Sequence, residues 1–312
     1  MRFGLVGTGY WAHVTHAPAI VATEGASLTA VWGRDADRAR ELADVTGAQP
    51  YTGNENYDAF LAEVDAVAFS VPPDVQADLA TRAATAGKHL LLEKPIALEA
   101  PAGRTLEAAV HDAGVASVVF FTQLFRPEIR TWLDSCAESE LGWEGGCALL
   151  LGSVQRDGGP FATPWRLEHG GLWDVGPHAL SVLVATLGPV TAVAAHGDPL
   201  GTTHLVLSHA GGASSVATVS LAAPEAASGF RARVWGGDGQ AAMPESGTPV
   251  VEVAGLAVTE LMATATFHDP PHPYDVTFGR EILDTLAEAQ RTLTGARRPL
   301  ADDPHILASG AE

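Results

Sequence analysis

The chain opens with a short apolar run, Phe3-Gly4-Leu5-Val6, that leads directly into Gly7-Thr8-Gly9-Tyr10-Trp11-Ala12. A strand, a G-x-G-x-x-A turn and an apolar helical segment through Ile20 and Val21 leave few folds available. Gly7 permits the tight turn, Gly9 lets the backbone approach a pyrophosphate, and Ala12 takes the helix-packing third position. N–H groups at the start of the helix then face the phosphates. In isolation the same pattern fits a plain strand-to-helix turn. Here a second strand over 27–33 supplies the β-α-β context of a dinucleotide site. Gly7, Thr8, Gly9, Tyr10 and Trp11 are therefore the expected cofactor-binding loop.

The end of the second strand bears on which cofactor is held. An acidic residue about twenty positions after the loop would bind the ribose hydroxyls of NAD. This chain instead runs Ala30-Val31-Trp32-Gly33-Arg34-Asp35. Gly33 leaves space, and the Arg34 guanidinium suits a 2′-phosphate by charge and fork geometry. Asp35 is placed to cap the next helix. The pattern favours NADP, with NAD as the alternative; Arg34 as a solvated loop charge is the plainer reading.

Residues 1–121 continue in β-α alternation. Helices are expected at 36–45, 57–62, 75–86 (closed by Gly87) and 99–113 (closed by Gly114). Strands are expected at 64–70, 88–92 and 115–121. This predicts a parallel sheet covered by helices on both faces. Over 122–312 the grammar changes. After a helix at 127–137, strand-like runs follow at short spacing: 147–154, 190–196, 204–208, 215–221 and 231–235. A helix from about 174 to 187 interrupts them, and another is expected at 278–293. The fold class is thus α/β plus α+β, a Rossmann domain followed by an open, largely antiparallel sheet.

The formal net charge of −19 and the lack of a basic run argue against a nucleic-acid partner. Cys136 and Cys147 fit no zinc spacing, and His268 and His272 fit no metal site, so no metal is expected. No apolar stretch of membrane-spanning length is evident, and a signal peptide would have to overlap the first strand. A reduced, cytoplasmic enzyme is the expectation.

Two segments carry chemistry. His89-Leu90-Leu91-Leu92 delivers Glu93-Lys94-Pro95 to the carboxyl edge of the sheet, where doubly wound folds bind ligands. A protonated Lys94 there could stabilise negative charge on a substrate oxygen. Gly170-Gly171-Leu172-Trp173-Asp174-Val175-Gly176-Pro177-His178 leads into a helix whose first turn must hold Pro177. Asp174 and His178 are four apart and share a face, so the carboxylate could orient the imidazole for proton transfer. A structural pair at a helix start would look the same.

With these pieces in place the chain resembles the glucose-fructose oxidoreductase, inositol dehydrogenase and rhizopine catabolism family along nearly its whole length. The matching residues are Gly7-Thr8-Gly9, His16, Ser70-Val71-Pro72-Pro73, Gly87-Lys88-His89, Glu93-Lys94-Pro95, and Gly170-Gly171 with Asp174 and His178. The resemblance implies Lys94, Asp174 and His178 as the catalytic group, with Ser70, Pro72, Glu93 and Lys94 beside the cofactor. It also implies a second-domain sheet packed against another subunit, hence a homodimer or homotetramer. The chain departs from the family at Asp74-Val75-Gln76, where many relatives carry a histidine. It departs also in the short Trp165-Arg166-Leu167-Glu168-His169 stretch and at Gln123-Leu124-Phe125-Arg126-Pro127.

The resulting expectation is an NAD(P)-dependent oxidoreductase acting on a secondary alcohol or ketone of a sugar, cyclitol or other polyol-like metabolite. Its rivals are an NAD-dependent glycosidase of the same family and a non-catalytic cofactor-binding regulator.

Overall fold

In the computed structural model, residues 1–157, 159–267 and 270–295 are described. Six parallel strands form the first sheet: β1 (Arg2–Val6), β2 (Ser27–Gly33), β3 (Gln49–Thr52), β4 (Ala66–Phe69), β5 (His89–Leu92) and β6 (Ser117–Val119). Their order is β3-β2-β1-β4-β5-β6, so the winding reverses beside β1 and opens a crevice at the strand carboxyl ends. The strands read as unbroken apolar runs because both faces are covered: Leu5, Val67, Phe69, Leu90, Leu91 and Leu92 are fully buried. The accompanying helices are α1 (Ala17–Ala22), α2 (Ala36–Thr46), α3 (Tyr57–Ala62), α4 (Pro73–Thr85) and α5 (Ala100–Ala113). Asp35 caps α2 by accepting from the N–H groups of Asp37 and Arg38.

After α6 (Pro127–Ala137) the chain builds a second six-stranded sheet from β7 (Trp143–Leu151), β8 (Val190–Gly197), β9 (Thr202–His209), β10 (Ser214–Ser220), β11 (Gly229–Gly236) and β12 (Gly239–Ala242). The order is β12-β11-β7-β10-β9-β8, and only the β7–β10 pair is parallel. Alternation is clean on β9, where Thr203, Leu205, Leu207 and His209 are buried while His204, Val206 and Ser208 are exposed. The buried face packs on α9 (Gly176–Leu187) and α11 (Val276–Thr294). The opposite face presents Leu149, Val206, Val216 and Trp235.

Several elements differ from the sequence reading. The strand expected at 147–154 starts earlier, at Trp143, and ends at Leu151; Val154 already belongs to the short α7 (Val154–Asp157). Gly145 and Gly146 hide its beginning, and Gly145 is needed there because a Cβ would collide with the Trp235 indole. The helix expected from about 174 to 187 is found as α9, and it is preceded by a helix the sequence reading did not expect, α8 (Pro164–Asp174), which is kinked at Gly170 (φ 68°) and meets α9 at Val175. The strand expected to reach residue 121 stops at Val119 and turns into a 3₁₀ turn, Thr122–Phe125.

The helix α10 (Val250–Phe267) has no counterpart in the sequence reading. With mean hydropathy 1.5 over its 18 residues it is long and apolar enough to cross a membrane by length and composition, which corrects the reading that no such stretch exists. In the fold it packs back on α1, β5 and β6, burying Val253, Ala254, Ala257, Val258 and Leu261. Cys136 and Cys147 are free, and burial pushes the Cys136 thiol up to about 11. His272 bonds Glu260 Oε2 at 2.7 Å and stacks on Phe125, while His268 and Asp269 lie outside the described residues.

Candidate active site

The glycine turn is built for close approach by a ligand. Gly7 has φ 124° and carries no side chain because a Cβ would strike the Ser70 carbonyl at the end of β4. Beside Gly9, by contrast, nothing lies within 4 Å of where a Cβ would sit, so the backbone faces open space. Thr8 fills the space over Gly33. Ala12 is fully buried, as its packing position requires. The turn continues through a π-helical segment, Ala12–His16, into α1. Pro72 immediately precedes α4 and its carbonyl accepts from the N–H of Gln76. This cradle at the strand ends fits a dinucleotide pyrophosphate. Arg34 is exposed just beyond β2, and Asp35 is committed to the α2 cap. Tyr10 and Trp11 both meet Phe161 edge-on, at centroid distances of 5.3 and 5.8 Å, so the second half of the chain reaches over the turn.

After β5, Glu93 turns inward rather than to solvent. Its Oε1 accepts from Trp11 Nε1 at 2.7 Å and lies 2.8 Å from His16 Nε2. Gln76, fully buried on α4, holds the same segment by its backbone. Its amide donates to the carbonyl oxygen of Glu93 (2.7 Å) and more weakly to those of Pro95 and Ile96 (both 3.3 Å), while its Oε1 accepts from the Glu93 N–H (2.8 Å). Sequence reasoning saw Gln76 only as the lack of a histidine. The available signal was a polar residue on the buried side of an otherwise alanine-rich helix face.

This bracing presents Lys94 to the second sheet's helices. Lys94 Nζ donates to the Asp174 carbonyl oxygen at 2.6 Å and to its Oδ1 at 3.1 Å. Arg166 Nε reaches the same Oδ1 at 3.0 Å, with its guanidinium over the Trp165 and Phe161 rings. One nearly buried carboxylate is thus shared by two cations. Burial opposes its ionisation, but Lys94 and Arg166 outweigh burial and hold the carboxyl down to about 2.

His178 sits in the first turn of α9, one residue after Pro177. The residue keeps partial exposure, but its Nδ1 is buried and unbonded. Burial, reinforced by the charges of Lys94, Arg166 and Arg126 and only partly offset by Asp174, holds the imidazole well below its ordinary range, hence neutral. The expectation that Asp174 orients the His178 ring is therefore corrected, since no hydrogen bond joins them. The backbone stays helical through Val175, but two cations, Lys94 and Arg166, claim the carboxylate. Asp174 acts on His178 through charge alone. The fold does bring Lys94, Asp174 and His178 together at the crevice, and it adds Arg166, which sequence reasoning treated only as part of a short loop.

The residues match two family models: "Oxidoreductase family, NAD-binding Rossmann fold" over 1–121 and "GFO/IDH/MocA C-terminal domain" over 148–242. The chain belongs to the Gfo/Idh/MocA oxidoreductase family. Among curated relatives, an inositol 2-dehydrogenase of Rhizobium meliloti (strain 1021) is 33% identical over 142 residues, 46% of this chain and 42% of that protein. A dTDP-3,4-didehydro-2,6-dideoxy-alpha-D-glucose 3-reductase of Actinomadura kijaniata is 28% identical over 190 residues, 60% of this chain and 56% of that protein. The first curated relatives are spanned over only 30% to 56% of their length. Solved structures align more fully. GenD2 from gentamicin A biosynthesis in complex with NAD gives a TM-score of 0.81 at 22% identity, covering 95% of both chains. A 3-ketoreductase from Actinomadura kijaniata in complex with TDP-benzene and NADP gives 0.72 at 20% identity, covering 95% of this chain and 98% of that one.

Proposed function

We propose that this protein transfers hydride between a nicotinamide cofactor, preferentially NADP(H), and a secondary alcohol or ketone carbon of a sugar- or cyclitol-like substrate. The observation that carries this reading is the Lys94–Asp174 pair at the strand-end crevice, whose charges both act on His178, beside a glycine turn whose backbone at Gly9 is open to a pyrophosphate. The cofactor, when bound, supplies the hydride donor or acceptor. Gly7, Thr8, Gly9, Tyr10 and Trp11 would hold its phosphates, Ser70 and Pro72 would border it, and Glu93 would fix the nearby wall. Lys94 is anchored by two of its three donors, leaving one for a substrate oxygen. That donor stabilises negative charge as the oxygen loses its proton. The neutral imidazole of His178 takes the proton from the alcohol, and returns it in the reverse direction. Support for NADP comes from the exposed Arg34 and the diversion of Asp35 to the helix cap. The apolar open face of the second sheet supports assembly into a homodimer or a larger homo-oligomer.

The test is a panel of polyols, sugars and cyclitols, with their keto forms, followed by absorbance of the reduced nicotinamide with NADP and NAD in parallel. Turnover is expected, with tighter binding of NADP and loss of that preference in Arg34→Ala. Glycoside cleavage without net cofactor turnover, or tighter binding of NAD by the wild type, would overturn the corresponding part of the reading.

A further inference from the structure

The turn at Thr122–Phe125 and α6 pack against α9, the helix that carries His178. Between turn and helix stands Arg126. Its Nη1 donates to Ser246 Oγ at 3.1 Å and to the Thr248 carbonyl oxygen at 2.8 Å, and both acceptors are neutral. No carboxylate among the described residues lies within ion-pair distance of it. Glu128, the one acid whose charge it feels, is occupied by the hydroxyls of Ser246 and Thr248. A guanidinium offers five N–H donors, so most of this fork is uncommitted within the chain. Burial weakens its charge more than Glu128 supports it. A partly desolvated cation without a counter-charge is costly, and a site that keeps one gains from a ligand that neutralises it.

The surroundings sharpen this. The charged groups that act on His178 are Lys94, Arg166 and Arg126 against the single carboxylate of Asp174, an excess of two positive charges. The chain as a whole carries −19, with only 18 Lys and Arg against 37 Asp and Glu. Cations are thus scarce on this protein, yet the charges of three bear on the group expected to move the proton. Lys94 and Arg166 are both paired with Asp174, which leaves Arg126 as the member of the three without a carboxylate partner.

We propose that Arg126 binds an anionic group on the substrate, so that the enzyme acts on an acidic polyol or sugar derivative, bearing a carboxylate or a phosphate, in preference to a neutral one. This deepens the oxidoreductase reading above and rests on it. Arg126 is a specificity-determining residue here, because its fork meets carboxylate or phosphate oxygens in a bidentate manner that a neutral hydroxyl cannot match.

Binding is measured on the full chain saturated with cofactor, which closes the pyrophosphate cradle to competing anions. Calorimetric titrations use D-gluconate, inorganic phosphate and neutral sorbitol as probes at matched ionic strength, on wild type, Arg126→Gln and Arg126→Lys. The wild type is expected to bind gluconate or phosphate at least about tenfold more tightly than sorbitol, and the tighter of the two anions identifies carboxylate or phosphate as the source. Arg126→Gln should lose at least about tenfold for that anion and under about twofold for sorbitol, while Arg126→Lys keeps part of the preference. A purely structural role for Arg126 would lower melting temperature without changing the ratio of anion to sorbitol affinity. Equal affinity for sorbitol, no anion binding, or anion affinity unchanged in a folded Arg126→Gln protein overturns the proposal. Because the readout is binding, it separates from the reaction itself. Anion affinity unchanged in a folded Arg126→Gln protein that still turns over neutral polyols removes the anion site and leaves the oxidoreductase reading, whereas anion binding with no hydride transfer to any member of the panel does the reverse.

Discussion

Replacing Asp174 by Asn removes the one negative charge shared by Lys94 and Arg166 while keeping the side chain's shape. In the native protein that carboxylate is 10% exposed, with Lys94 9% and Arg166 20% exposed at their side chains. Removing one partner of a buried ion pair costs about 3–5 kcal/mol, and the amide's remaining acceptor places Asp174→Asn at about 3 kcal/mol. At about 2–4 °C per kcal/mol for a chain of this class, the melting temperature should fall by about 6–12 °C. The pH dependence supplies a second check. A carboxyl at about 2 in the folded state against an ordinary 3.8 contributes about 2 kcal/mol, fully present above pH ~4 and lost as pH falls through about 2. The sign follows because the unfolded chain binds the proton first as acid is added. The Asn variant should lack this acid-sensitive segment of the stability curve. Asp174 also raises the proton affinity of His178, so the acid limb of the kcat/KM profile should move to lower pH in the variant. Scanning calorimetry from pH 2 to 7 and a kinetic pH profile test both. An Asn variant that melts with the wild type and keeps its acid limb would refute the electrostatic reasoning.

Gln76→Leu should expose the same crevice to a different failure. The Glu93 N–H and carbonyl would lose buried partners at 2.8 and 2.7 Å, each worth about 1–3 kcal/mol, and Lys94 would lose its bracing. Loss of both melting temperature and kcat is expected, and retention of kcat in a folded protein would deny Gln76 its positioning role. A charge placed on the open sheet face by Val216→Asp, whose cross-strand neighbour is Val206, should break the homo-oligomer to a monomer in light scattering. A wild type that is monomeric at high concentration would remove that proposal. Because His178 is held well below its ordinary range, kcat/KM for alcohol oxidation should be flat through neutral pH and fall only in acid, and a break near pH 6.5 assigned to His178 would contradict the site's electrostatics.

The parallel sheet was legible because its strands are buried on both faces and read as apolar runs such as His89–Leu92, each delivered to a turn with its own signal. The second sheet was legible where period-two alternation survives, as on β9, and lost where Gly145 and Gly146 make room for Trp235. α10 went unseen because its outer face is polar only at widely spaced residues, Glu252, Thr259 and Thr266, between exposed apolar ones such as Leu256, so the period is faint. At the site, residue types and chain order pointed to Lys94, Asp174 and His178. Their pairing did not follow, because spacing along the chain cannot show that Lys94 and Arg166 claim the Asp174 carboxylate first. The partners that matter lie far apart in sequence: Lys94 is 80 residues from Asp174, and Trp11 is 82 from Glu93. Only the folded crevice brings these together, and with them the positive excess around His178.

The most direct test of the central claim is the rate of hydride transfer by His178→Ala at saturating cofactor and substrate, read at the reduced-nicotinamide band alongside a cofactor titration and a melting curve. Loss of the proton-transfer group should lower turnover by about 10²–10⁴-fold, with cofactor affinity kept within about tenfold and the fold intact. A folded, cofactor-binding His178→Ala protein that turns over within a few-fold of the wild type would contradict the account.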